Sequence, residues 1–232
     1  MGETLLRVED LHVRYGRTEA VRGVSFSLDA GSMLAIVGES GSGKSTVAKA
    51  VMGLLKPSAG RIERKAKSVQ MVFQDAVGSL NPRMTARQTL AEVLKVKGRG
   101  GGHTPESLME MVGLPKAALG QYPHEMSGGQ CQRVSIARAL ACSPDALVAD
   151  EPVSALDVSV QARILNLLRD LRRDFGLAIL LVAHDLAVVK NVCEYVHVME
   201  KGVFVESGPA DVVLSRPSSE YARRLLAAAP AL

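Results

Sequence analysis

The sequence predicts an α/β protein, built on a mainly parallel β-sheet with helices on both faces. Three observations carry this expectation. An apolar run over residues 33–37 leads into Gly38-Glu39-Ser40-Gly41-Ser42-Gly43-Lys44-Ser45-Thr46 and then into a helical stretch over 47–52. From Ser127 onward, helical and short apolar segments alternate strictly, the rhythm of strand–helix–strand units. Those apolar segments are continuous rather than alternating, as strands buried on both faces are.

Residues 5–13 alternate and carry β-branched side chains, so they read as a strand. Tyr15-Gly16-Arg17-Thr18 reads as a turn, and 21–28 as a second strand with Val24, Phe26 and Leu28 on one face. Ala30-Gly31 turns the chain into the strand that feeds the glycine-rich loop. Pro57 and Gly60 are stop signals after the first helix, and 68–73 is another strand with Gln74 at its end. Between Asp75 and Met126 helical patterns over 87–95 and 105–112 flank Gly98-Arg99-Gly100-Gly101-Gly102. That run lacks a preceding strand and a following Lys-Ser, so it reads as a mobile loop within a helical insertion. Beyond Ser127 come a helix over 130–141, a strand over 146–149, a helix over 160–173, a strand over 178–183 and a helix near 186–192. Residues 196–199 and 203–206 read as strands paired across Lys201-Gly202, followed by short helices over 210–214 and 220–229. The reading is one domain over 1–232, with about 75–143, including the helical insertion, set into its core.

Bulk composition narrows the function. The 232 residues are long enough to bury a substantial core. A formal charge of +4 is a mild excess with no dense Lys/Arg cluster, so no nucleic-acid partner is expected. No apolar run approaches the ~18 residues needed to span a bilayer, and no secretory signal is read. Cys131, Cys142 and Cys193 have no metal-like spacing and read as free thiols in a reducing cytosol.

The glycine-rich stretch is the G-x-x-x-x-G-K-[ST] pattern of a phosphate-binding loop (P-loop) in its strand–loop–helix setting. Gly38, Ser40, Gly41, Ser42, Gly43 and Thr46 belong to a backbone concavity whose N–H groups bind anions, reinforced by the positive end of the following helix. Lys44 would reach the β- and γ-phosphates and the Ser45 hydroxyl would ligate Mg²⁺. Downstream, the strand over 146–149 ends in Asp150-Glu151. Two adjacent carboxylates at a buried strand tip require a cation. Asp150 would hold the nucleotide's Mg²⁺ through water, and Glu151, pointing the other way, would polarise an attacking water. Ser127-Gly128-Gly129-Gln130 opens another helix and offers a second anion site.

Placed between Lys44 and Asp150, Ser127-Gly128-Gly129-Gln130 resembles the signature of the ATP-binding-cassette (ABC) ATPases, and the resemblance covers nearly the whole chain. It implies an antiparallel N-terminal β-subdomain, a helical subdomain bearing the signature, and two ATP sandwiched between paired subunits. Ser127 and Gly129 of one subunit would then complete the site of the other. By the same resemblance Tyr15 stacks on adenine, and Gln74 contacts Mg²⁺ and the attacking water. Asp157, in Ser154-Ala155-Leu156-Asp157, reaches across the dimer interface, and His184 contacts the γ-phosphate. His12, His103, His124 and His197 match no motif.

Finer resemblance is carried by Phe73-Gln74-Asp75, Ser79 to Thr85, Tyr122 to Ser127, Glu151 to Gln161 and the stretch from Arg216 to Pro230. These are similar to the ATPases of oligopeptide, dipeptide and nickel importers. The implied partners are two integral membrane permease subunits, a second ATPase and, indirectly, an extracytoplasmic substrate-binding protein. The implied location is the cytoplasmic face of the inner membrane. Ala76 stands where these relatives commonly have proline, which would loosen that loop, and Cys131 where they have Arg or Gln. Two alternatives stay open: an accessory ATPase of a carbon–phosphorus lyase-type complex, and a non-transport ABC ATPase. The latter usually carries a long coiled-coil insertion, and positions 75–126 are too short for one.

Overall fold

The computed structural model describes residues 2–96, 102–154, 156–190 and 192–228. Strands β1 (Thr4–Tyr15) and β2 (Thr18–Asp29) form a hairpin, and β3 (Met33–Val37) leads through the glycine-rich loop into α1 (Lys44–Val51). The chain continues through β4 (Ala59–Arg64), β5 (Val69–Val72), α2 (Ala76–Ser79), α3 (Ala86–Val96), α4 (Pro105–Met111) and α5 (Gly128–Leu140). It closes with β6 (Ala146–Asp150), α6 (Val158–Phe175), β7 (Ala178–Ala183), α7 (Leu186–Val189), β8 (Tyr195–Glu200), β9 (Val203–Pro209), α8 (Ala210–Ser215) and α9 (Glu220–Ala227).

Two sheets result. The larger has the order β5-β6-β7-β3-β8-β9, parallel throughout except for the antiparallel edge strand β9. The smaller is antiparallel, β2-β1-β4. Every residue of β3, β6 and β7 is buried, and alternate residues serve two separate cores. Leu34, Ile36, Val148 and Leu180 pack with α1 and the antiparallel sheet; Met33, Ala35, Leu147 and Ile179 pack with α5 and α6. That double burial explains why these strands read as continuous apolar runs.

Strand β4 went unread, because Ala59-Gly60-Arg61-Ile62-Glu63-Arg64 is short, charged and largely exposed; it is an edge strand held by β1. The sequence also gave no sign of α2. There Asp75 caps the helix by accepting the Gly78 N–H at 2.8 Å, and Ala76 is buried. The residue expected to loosen this segment is instead the first of a capped turn. Helix α7 stops at Val189, short of the expected 192. The run Gly98–Gly101 and the last residues of the 220–229 reading lie outside the described residues. No helix among the described residues is long and apolar enough to cross a membrane, and the three cysteines are free.

Candidate nucleotide site

The site forms where the parallel strands end, the usual ligand position in such sheets. The P-loop leaves β3, Gln74 follows β5, Asp150 and Glu151 end β6, and His184 follows β7. Gly43 has φ 111°, and a Cβ there would lie 2.5 Å from the Ala20 carbonyl, so only glycine lets the loop pass so close to β2. The Glu39 N–H donates to the Tyr221 hydroxyl of α9 at 2.9 Å, and the Gly202 N–H donates to the Ser42 carbonyl at 2.8 Å. The loop is therefore braced from the C-terminal part of the chain.

Glu151 is the hub. Lys44 Nζ lies 3.6 Å from its Oε1, Gln74 Nε2 donates to its Oε2 at 3.0 Å, and His184 Nδ1 is 3.9 Å from the same oxygen. Its backbone has φ 45°, which ends the extended conformation of β6 at this residue. Asp150 accepts the Ser45 hydroxyl at 2.9 Å. Burial raises the pKa of the Asp150 carboxyl, and Ser45 partly offsets this. Lys44 is buried, which lowers its pKa against the pull of Glu151; it also donates to the Glu39 carbonyl at 2.8 Å.

A cleft of about 200 Å³ is lined by Ala20, Ser40, Gly41, the Gly43–Thr46 turn, Gln74 and Glu151. Gly38 and Ser42 do not line it: Gly38 packs against the Met199 carbonyl and Ser42 is buried. Tyr15 is exposed at the hairpin end, outside the cleft lining. Ser127, Gly129 and Asp157 also lie outside it. Ser127 caps α5, accepting the Gln130 N–H at 3.3 Å while Gln130 accepts the Ser127 N–H at 2.8 Å. Sequence reasoning missed Ala20, the Glu39 carbonyl, Tyr221 and Ser154, whose hydroxyl lies 3.3 Å from Gln74 Nε2. Glu39, Ser154 and Tyr221 all lie inside quoted stretches; of these only the Ser154 hydroxyl, three residues after Glu151, carried a signal that could have found it, since Glu39 acts through its backbone and Tyr221 through a distant contact.

The profile of the ABC transporter family matches residues 21–154. The chain belongs to that family. It is 41% identical to the oligopeptide transport ATP-binding protein OppF of Salmonella typhimurium, over 98% of this chain and 78% of that protein. It is 43% identical to a probable peptide ABC transporter ATP-binding protein, y4tS, of Sinorhizobium fredii, over 99% and 74%. Against the Escherichia coli glutathione import ATP-binding protein GsiA it is 42% identical over 99% of this chain but 42% of that protein. Among solved cassettes it superimposes on cbiO1 of Clostridium perfringens, part of the complex cbiONQ, with TM-score 0.81, 27% identity and 92% of both chains covered. A dimeric structure of the MJ0796 cassette matches with TM-score 0.78 and 28% identity, over 89% of this chain and 99% of that one. The expected α/β fold with an antiparallel second sheet holds, and this cassette is an ATP-hydrolysing subunit.

Proposed function

We propose that this cassette powers the import of peptides, working as one of a pair of ATPases beneath two membrane-embedded permease subunits. The observation that carries the chemistry is the convergence of Lys44, Gln74 and His184 on the Glu151 carboxylate beside the P-loop. Peptides are favoured as cargo because the OppF, y4tS and GsiA relatives are named for oligopeptide, peptide and glutathione transport.

In this reading the P-loop N–H groups and Lys44 hold the β- and γ-phosphates, and Tyr15 takes the adenine. The ammonium of Lys44 exchanges the Glu39 carbonyl and Glu151 for phosphate oxygens. Released from it, Glu151 accepts the proton of a water attacking the γ-phosphorus, while the bond to the bridging oxygen breaks and ADP and phosphate form. Gln74 orients that water and His184 donates toward the γ-phosphate. Ser127 and Gly129 serve the nucleotide of the opposite subunit, and Asp157 reaches across the interface.

The donors present fit Mg²⁺. Ser45 and the buried Asp150 supply hard oxygen, Gln74 adds an amide oxygen, and the described residues hold no cage of three or more His, Cys, Asp or Glu. Such a sparse set suits an ion that keeps waters and phosphates as its other ligands. When bound with the nucleotide, Mg²⁺ neutralises charge on the β- and γ-oxygens.

The location is the cytoplasmic face of the membrane, and the test recovers the assembly from there. Tagged Glu151→Gln, drawn from native membranes in detergent with Mg-ATP, should retain two multi-spanning proteins and a second cassette by mass spectrometry. Retention of soluble enzymes, ribosomal or DNA-associated proteins in their place would end the importer reading.

A further inference from the structure

We propose that His12 and Glu19 form a clasp that fixes the tip of the β1–β2 hairpin, making both of them positioning residues for the adenine end of the nucleotide. The proposal rests on the reading of Tyr15 as the adenine platform. Past His12 the hairpin has little else to hold its shape. His12 is the last residue of β1 held from both sides, with Arg22 of β2 and Ala59 of β4 as its Cα partners. From Val13 to Ala20 the chain is a two-stranded ribbon, a form of marginal stability on its own. The ladder also breaks there. Val13 pairs with Val21 and Arg14 with Glu19, so Ala20 is the extra residue of a bulge. Its carbonyl is the one packed against Gly43 of the phosphate loop, and Tyr15, paired with Thr18, lies beyond it.

Glu19 reaches back across that bulge. Its Oε1 lies 2.9 Å from His12 Nδ1 and its Oε2 3.5 Å from Arg14 Nη2, while His12 Nε2 lies 3.3 Å from Asp10 Oδ1. Gly23 leaves room for the arrangement: a Cβ there would stand 2.9 Å from Asp10 Oδ1 and 3.3 Å from His12 Nε2. The clasp ties the ribbon to the three-stranded part of the sheet. It thereby raises the fraction of molecules in which the Tyr15 ring is already in place for a base.

Only a protonated imidazole donates from both ring nitrogens, so the clasp depends on pH. The bond to Glu19 raises the His12 pKa, burial opposes this, and Asp10 adds to it; His12 first, then Arg14, lower that of Glu19 against burial. Among the described residues Asp10 and Glu19 are the carboxylates facing the ring. Arg22, opposite in the ladder, runs past Gly202, where a Cβ would stand 3.3 Å from its Cγ, and Ser58 and Ala59 on the β4 side carry no charge. With its pKa raised, His12 holds the clasp most firmly when protonated, and the clasp weakens as pH rises through that pKa.

The test measures the affinity of the full chain for Mg-ATP as a ratio to that for inorganic tripolyphosphate, which fits the phosphate loop and carries no base. The parent's ratio should exceed that of Glu19→Ala by about two- to fivefold at pH ~6, and the gap should narrow by pH ~9. The ligands' own ionisation is common to both proteins and leaves the gap untouched. Glu19→Gln keeps an acceptor for His12 and removes the charge, so its ratio should lie between the two and keep a constant distance from that of Glu19→Ala. Equal ratios in the parent and Glu19→Ala at pH ~6, or a gap that does not narrow, overturn the clasp while leaving the adenine reading in place. Tyr15→Ala should lower the ratio at every pH; an unchanged ratio in that variant overturns the adenine reading, and the clasp with it.

Discussion

Glu151 is held in the left-handed region, where a non-glycine residue costs about 1–3 kcal/mol. Its N–H donates to the Val182 carbonyl at 2.9 Å, and its own carbonyl accepts the Ser154 hydroxyl at 3.2 Å; these bonds hold the strained turn. As the proposed base, its replacement by glutamine should lower steady-state turnover by about 10²–10⁴-fold while leaving equilibrium ATP binding intact. His197 makes a different prediction. It is stacked on Phe204 at 4.4 Å and bonded to Ser207 at 2.6 Å, and burial pushes its pKa down to about 4. Between its ordinary 6.5 and 4 the unfolded chain binds a proton that the folded chain does not. Stability therefore falls as pH drops through that window, by about 3 kcal/mol in total, and the loss ends below pH ~4. His197→Phe should flatten the urea-denaturation stability profile between pH 7 and 4 by that amount. At this scale the candidate groups could be named because phosphate chemistry demands particular residue types, and the structure gathers Lys44, Gln74 and His184 around Glu151. Ala20, Glu39 and Tyr221 could not, since two act through backbone atoms and the third through a contact distant in sequence.

Helix α5 shows how an element's start is shaped by its neighbour. Gly129 sits against Val160, the third residue of α6, so a methyl group at 129 would force the two helices apart. Gly129→Ala should cost about 1–3 kcal/mol of folding stability in urea, and Val160→Ala added to it should restore at least half. The helix itself was readable from the helical stretch after Ser127-Gly128-Gly129-Gln130, and the structure adds the Ser127–Gln130 capping box that starts it. Long periodic elements such as α6 were equally plain. The strand β4 was hidden because an edge strand needs no continuous apolar run, and α2 because a single turn has no period to detect.

For the whole molecule, the proposed division of each site between two subunits makes activity depend on concentration. Specific ATPase activity should fall as the isolated cassette is diluted far below micromolar; a flat, high value would show that one chain suffices. The two-sheet architecture was legible because buried parallel strands leave continuous apolar runs, whereas strand order left no trace in composition. That order has a further consequence. β3, which carries the P-loop, is flanked by β7 and β8, so its pairing partners lie far downstream in the chain. While the polypeptide emerges from the ribosome, Met33–Val37 must wait, apolar and unpaired, until residues 178–183 of β7 have been made. The strand that leads into the glycine-rich loop is thus made early and paired late, which makes it the segment most in need of shielding by chaperones.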